Sequence, residues 1–174
     1  KNAMDSLLRD KKKEPKGINY GLVIGVAVGI LLIGAAALLI ALQPPAEDQR
    51  AKMLEGAFTE GSPEFAAISK DIIIATDDRT IESPNALGTI SMFIVGSIRY
   101  KGPKTITALE VKVSVVDLQN NVVKEKRILP VPVQFQQLGP NETISPVTVS
   151  LEGFDPKAER ANIRWKVTAV KVAP

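Results

Sequence analysis

The sequence predicts a mainly β fold, with one N-terminal transmembrane α-helix, a short stalk helix and a roughly seven-stranded antiparallel β-sandwich of the immunoglobulin type. Three observations carry this prediction. Residues 21–42 contain no charged or hydroxyl side chain. Beyond residue 66, apolar side chains recur at every second position, as they do in half-buried strands. Turn motifs rich in glycine, proline and asparagine separate these short runs, which is typical of an all-β domain.

Residues 21–42 are long enough to cross a bilayer. As an α-helix they would extend about 33 Å, against a hydrocarbon core of about 30 Å. Gln43, Pro44 and Pro45 follow and end the helix, because proline cannot continue it. An uncleaved signal anchor is favoured over a cleaved signal peptide, because the apolar run is longer than a typical signal-peptide core. A buried core helix of this length would rarely lack every polar side chain.

The excess positive charge lies beside this span. Residues 1–20 carry six cations and three anions, whereas residues 43–174 carry sixteen of each. Because Lys and Arg favour the cytoplasmic side, we expect a cytoplasmic N-terminus and a C-terminal domain on the periplasmic side of a bacterial inner membrane. Because the positive and negative charges of residues 43–174 are equal in number, we expect no nucleic-acid partner. The orienting residues are Arg9, Lys11, Lys12, Lys13 and Lys16, with Tyr20 at headgroup level.

Glycines repeat every four residues within the span. Gly21, Gly25 and Gly29 form a G-x-x-x-G-x-x-x-G stripe. Small residues let two helices approach closely in lipid, where close packing drives helix association. The stripe therefore predicts contact with another integral membrane protein or with a second copy. The alternative is that it only reflects the high glycine content of membrane helices.

The chain divides into four predicted parts. They are a basic tail at 1–20, the membrane helix at 21–43, a stalk at 44–65 and the sandwich domain at 66–174. Within the stalk, proline and acidic residues at the start and Gly56 at the end indicate a short helix.

Alternating apolar residues define the predicted strands. Leu109 and Val111 flank Glu110, for example, so that Glu110 is expected on the solvent face. Trp165 falls in the inward register of its strand and is expected in the core. Lys124, Lys126 and Arg127 predict a solvated edge strand that discourages edge pairing. The predicted strands cover residues 72–75, 89–100, 109–115, 122–128, 131–135, 147–151 and 163–169.

Several of these segments together resemble a known family. The segments are Gly88, 96–100, 106–111, 116–123 and 138–143. They are similar to bacterial FxLYD-type and related membrane-anchored domains of unknown function, and they share the general pattern of late-embryogenesis-like Ig-like domains. The resemblance extends over about residues 66–172. It implies a β-sandwich in the bacterial envelope and brings no catalytic residues with it.

The composition excludes many kinds of chemistry. The chain has no Cys and no His, so a disulfide framework, a thiolate nucleophile and an imidazole base are excluded. Ser97 lies mid-strand, outside a nucleophile elbow. Asp77, Asp78 and Glu82 do not match the spacing of a calcium loop and are read as a solvated acidic turn. The sequence predicts no enzymatic activity, no cofactor and no metal.

These observations favour a non-catalytic single-pass membrane protein that acts as an accessory or stabilising subunit of a larger membrane or envelope complex, such as a photosynthetic, respiratory or secretion assembly. The alternative is a self-associating envelope domain that binds peptide, glycan or lipid, or that protects under stress. An enzyme using carboxylates is a third hypothesis, which requires two acidic side chains converging in a pocket.

Overall fold

The computed structural model describes residues 19–174, and the chain divides into two units at Pro45. The basic residues Arg9 to Lys16 lie outside the described residues. The first unit contains α1, Tyr20–Ala41, a helix of 22 residues. It is long and apolar enough to cross a membrane. Its sequence consists of apolar residues and glycine throughout, so it has no polar face to turn toward water.

The second unit begins with a short helix. This stalk helix, α2, covers Ala46–Met53, with Glu47 and Asp48 in its first turn and Lys52 in its last, which suits the helix dipole. A helix was predicted in this region. A two-residue strand, β1, follows at Phe58–Thr59.

A second short helix, α3, covers Pro63–Ser69 and was not predicted. The Ser62 hydroxyl accepts a hydrogen bond from the backbone N–H of Phe65, and Pro63 occupies the first turn. A serine cap followed by proline is a recognised helix start. Phe65 is buried in the core, and Ile68 of the same helix is partly buried against it.

Seven longer strands complete the second unit and confirm the predicted sandwich. One sheet has the order β1-β8-β5-β6. In the other, β4 pairs with β7 along one edge and with both β2 and β3 along the other. All of these pairs are antiparallel. The strands are β2 Ile72–Thr76, β3 Ile81–Pro84, β4 Ile90–Tyr100, β5 Ile106–Val116, β6 Val122–Leu129, β7 Thr143–Phe154 and β8 Asn162–Val172.

The core lies between the two sheets. Alternate residues of β5 face inward, and all four that the period-two pattern placed inside are fully buried. Burial of such branched apolar side chains is the main stabilising contribution in a domain of this kind. The four residues are Leu109, Val111, Val113 and Val115.

Two segments differ from the sequence expectation. The predicted strand at 131–135 is wrong: Pro130–Gln134 forms an irregular turn, although Val131 bridges to Leu109 and is fully buried. Prolines in this segment cannot supply the amide donors of a regular ladder. The strand β3 was not predicted, because Ser83 and Pro84 are residues typical of turns.

Candidate docking surfaces

Helix α1 exposes apolar side chains along its whole length. None of its residues is buried within the described chain. Tyr20, the predicted headgroup residue, is the first residue of the helix and is 75% exposed. Exposing an apolar surface of this size to water is unfavourable, whereas lipid or another helix would cover it favourably.

The predicted glycine stripe lies on one face of α1. At about 100° per residue, Gly21, Gly25 and Gly29 follow one another along the helix, and Gly34 lies about 180° from Gly25. A Cβ added at Gly25, Gly29 or Gly34 would meet nothing within 4 Å. At Gly21 it would meet the side-chain oxygen of Asn19 at 3.3 Å. The face at Gly25 and Gly29 is therefore open to close approach by another chain.

The stalk helix is bound to the sandwich by a buried carboxylate. Glu110 on β5 is 2% exposed, although it points to the outer face of its sheet as the alternation predicts. Arg50 of α2 donates from Nε to this carboxylate, and the Thr168 hydroxyl donates to it at 2.6 Å. Arg127 lies 3.9 Å from Oε1, the same oxygen that accepts from Thr168, whereas Arg50 donates to Oε2. The expectation of a solvated Glu110 is wrong, because these three side chains cover it.

Replacing Arg50 with alanine should release the stalk helix while the sandwich stays folded. The change leaves the buried Glu110 carboxylate with Thr168 and Arg127 as partners. Because Arg50 is itself 37% exposed, we expect the docking free energy of the stalk helix to fall by about 1 kcal/mol. Trypsin cleavage at Lys52 should then be about fivefold faster, because cleavage follows the open population. Arg79→Ala, which removes an exposed ion pair with Asp77, is the control. Equal cleavage rates in both variants would contradict the docking role.

One side of the sandwich, where β6 faces β7, is closed by side chains. The Gln134 amide donates to the carbonyl of Thr148 and accepts from its N–H, both at 2.9 Å. Lys126 donates to the carbonyl of Ser150 at 3.2 Å, and Lys124 donates to the carbonyl of Glu152. The free edge of β7 is thus capped at every second residue. The predicted solvated cluster is only partly correct: Arg127 faces outward, whereas both lysines reach across to β7.

The opposite side of the sandwich is open. A groove of about 360 Å³ runs between β2 and β8, and we call it the β2–β8 groove. Trp165 is half-buried at this groove and donates from its indole to Thr76 Oγ1 at 2.8 Å. Lys166 and Glu60 form an exposed ion pair at the rim, 2.6 Å apart. The remaining lining residues are Phe65, Ser69, Ile72, Ile74 and Val167.

Cations cross the outer face of the β8-β5-β6 sheet beside this groove. Lys112 on β5 is paired in register with Arg127 on one side and with Lys166 on the other. Arg164 is the next outward residue of β8. Glu125 lies 3.4 Å from Lys112 and offsets part of this charge. At the edge nearest the groove, Lys166 is ion-paired with Glu60, and Arg164 donates to the side-chain oxygen of Asn120 at 2.6 Å.

A second cavity, of about 270 Å³, lies between α3 and the start of the β4–β5 loop. Its floor includes the Tyr100 ring, which is 1% exposed. Burial raises the pKa of the Tyr100 phenol, so this group stays neutral at physiological pH. Glu64, Asp71 and Lys104 lie around the cavity.

Arginine side chains bind two of the carboxylates in the predicted acidic turn. The Asp77 carboxylate accepts from the backbone N–H of Arg79 at 2.9 Å and from its guanidinium at 2.8 and 2.7 Å. These bonds hold the pKa of Asp77 well below its usual range. Glu82 pairs with Arg160 at 3.1 Å instead of joining the turn. Within residues 19–174, no three acidic side chains come together in a way that suits a metal ion.

Sequence reasoning missed the Arg50–Glu110 contact and the Gln134 cap. The alternation of β5 gave no signal for Glu110, because Lys112 and Ser114 on the same face are also polar. Gln134 carried no signal, because its role depends on the irregular turn that precedes it.

Comparison with known proteins provides little further information. No protein-family profile matches the chain, and no curated protein matches it. Among solved structures, it is similar to a DUF1425 family member from Shewanella sp. pv-4, with 17% sequence identity over 55% of this chain and 75% of that one. The TM-score of 0.30 is too low for this likeness to support any conclusion about function.

Proposed function

We propose that this chain is a non-catalytic single-pass membrane protein that serves as an accessory or stabilising subunit of a larger membrane or envelope assembly. The observation that carries the proposal is the apolar helix α1, which has no buried residue and has open space beside Gly25 and Gly29. In lipid, such a face gains by contact with another helix. The second unit adds exposed apolar side chains, including the directly opposed pair Ile81 and Phe93.

The proposed location is a bacterial inner membrane, with the N-terminus in the cytoplasm. The basic residues before α1 and the balanced charge after it support this direction. Protease added to spheroplasts should then degrade the sandwich domain without lysis. Protection of the domain in intact spheroplasts, with digestion only after lysis, would overturn the orientation.

Co-purification from native membranes tests the subunit role. We expect the chain, extracted in mild detergent, to elute with a much larger integral complex at fixed stoichiometry, as measured by size exclusion and mass spectrometry. Recovery of the chain without any other membrane protein would overturn the proposal. That result would favour the second candidate, a self-associating envelope domain that binds peptide, glycan or lipid. The open glycine face supports this candidate too, because two copies of α1 could pack through it.

Leucine at Gly25 and Gly29 should remove the helix contact. Neither Cβ meets any atom of the chain within 4 Å, so the substitutions leave this chain undisturbed and block only close approach by another helix. We expect the co-purified fraction, measured by quantitative mass spectrometry, to fall about tenfold. Gly34→Leu adds the same side chain on the opposite face, also into open space, and should have little effect. Equal losses from both changes would show that the glycine face is not the contact.

A further inference from the structure

The stalk helix α2 is held against the sandwich by charge rather than by apolar packing. Within the described part of the chain, none of its eight residues is buried, and its sequence, AEDQRAKM, has no apolar stripe. A helix of this length is not stable in water by itself, because too few hydrogen bonds offset the free energy needed to form its first turn. Helix α2 therefore depends on docking, and the bond from Arg50 to Glu110 is a direct docking contact.

The Glu110 carboxylate has a second arginine within reach. Arg127 on β6 lies 3.9 Å from Glu110 Oε1, whereas Arg50 donates to Oε2. Arg127 is paired in register with Lys112, two residues along β5 from Glu110, so it lies on the same outer face and diagonal to the carboxylate. A shift of about 1 Å would bring its guanidinium within hydrogen-bond distance. The parallel N–H groups of a guanidinium can then bind both carboxylate oxygens.

The two arginines belong to different parts of the chain. Arg50 is on the stalk, whereas Arg127 is on the same sheet as Glu110. When α2 leaves, a carboxylate that is 2% exposed in the docked state loses its partner at Oε2. Leaving a buried charge without its partner is strongly unfavourable. Movement of Arg127 onto the carboxylate offsets this penalty, because Thr168 stays bonded to Oε1 while Arg127 replaces Arg50.

We propose that Glu110 is a two-position latch for the stalk: Arg50 binds it when α2 is docked, and Arg127 replaces Arg50 when α2 is released. Release adds residues 46–57 to the linker that follows α1, and at about 3.5 Å per residue this raises the maximum reach of the sandwich by about 40 Å. The stalk is then a reversible tether rather than a fixed spacer. This inference goes beyond the proposed function, because it concerns the length of the chain between α1 and the sandwich and requires no particular partner.

Amide exchange of the full chain in phosphatidylcholine nanodiscs tests the latch, because exchange in α2 follows the population in which this helix is open. The reporter segment is residues 50–54, where the Leu54 N–H donates to the Arg50 carbonyl at 3.0 Å. Arg127→Met should slow exchange in this segment about threefold, because release then leaves Glu110 without an arginine. An unchanged exchange rate would overturn the proposal, since release would then proceed without Arg127.

Lys112→Met is the matched control for this measurement. It removes one cation from the same outer face, directly opposite Arg127, but Lys112 is paired with Glu125 at 3.4 Å. We expect this change to leave exchange in α2 at its original rate. If Arg127 acted only by repelling Arg50, both replacements would slow exchange. Equal slowing by both would therefore show a general charge effect and contradict the latch.

A double-mutant cycle at Arg50 and Arg127 provides an independent test. Each single replacement by Met leaves one arginine for Glu110, whereas the double replacement leaves none. If each arginine substitutes for the other, the unfolding constant of the sandwich, measured with urea and Trp165 emission, should rise in the double variant about tenfold more than the product of the two single effects. A double effect equal to that product would mean that the arginines act independently, which the latch does not allow.

Spin labels distinguish release of the whole stalk helix from fraying of its ends. The chain has no Cys, so Ala51→Cys in α2 and Leu118→Cys at the β5–β6 turn, both exposed, accept labels specifically. Double electron–electron resonance on otherwise native chains should give one narrow distance as the main population. Adding Arg50→Met should produce a broad distribution at longer distances. A narrow distance that persists while amide exchange in α2 accelerates would show fraying alone and would exclude the tether.

Discussion

Replacing Phe154 with alanine should lower the free energy of unfolding of the second unit by about 3–5 kcal/mol. Phe154 ends β7, is 1% exposed, and pairs with Ile90 across the sheet. Its truncation leaves a cavity that the surrounding strands cannot fill. The ring also has Lys124 Nζ and Arg160 at 5.4 and 5.9 Å from its centre, and that cation–π attraction is lost with it.

Urea unfolding in nanodiscs, followed by Trp165 emission, measures this loss. The control is Phe93→Ala, which removes the same side chain from the same sheet at a position that is 44% exposed on the outer face. Its effect should be several-fold smaller, because little cavity forms there. Equal destabilisation by the two changes would mean that Phe154 does not lie in the core as described.

Valine at Gly96 should lower the free energy of unfolding by about 1–3 kcal/mol, because the space is already filled. An added Cβ would lie 2.8 Å from Trp165 Cζ2 and 3.0 Å from the carbonyl oxygen of Ala75. Gly96 faces the interior of the sandwich, where the indole of β8 packs directly on its backbone. Trp165 must therefore move outward, away from its hydrogen bond to Thr76.

Two measurements distinguish displacement of Trp165 from a general loss of stability in this strand. The Trp165 emission of the folded Gly96→Val variant should shift to the red, because the indole becomes more exposed. Ser97→Val, at the next residue on the outer face, suits a strand and should change stability by about 0.5 kcal/mol or less. An unshifted emission with unchanged stability at Gly96→Val would contradict the packing of the indole on this glycine.

Local patterns were sufficient for most of the secondary structure. The strands at β5, β7 and β8 were predicted from period-two alternation; the inward residues of β5 and β7 are buried, whereas Ile163, Trp165 and Val167 of β8 are half-buried. The same reasoning failed at β3, where proline and serine obscure a strand whose pairing partner, β4, supplies the hydrogen bonds. It also failed at 131–135, where branched residues resemble a strand although prolines interrupt the ladder.

The candidate surfaces were only partly predictable. The glycine face of α1 follows from spacing alone, since a helix has a fixed rotation per residue. Trp165 was placed correctly on the inner face of its strand, yet it is half-buried at an opening and packs on Gly96, a residue 69 positions earlier in the sequence. A local sequence pattern cannot show a contact between residues so far apart in the chain.

The sequence by itself determined a membrane-length apolar helix and the inner faces of β5, β7 and β8, because both depend on the pattern of neighbouring residues. Only the tertiary structure decided that Glu110 is buried beneath Arg50, which is 60 residues away. It also decided that the side chains of Lys124, Lys126 and Gln134 cap the edge of β7. These features depend on which elements become neighbours when the two sheets assemble, and no single segment of the sequence contains that information.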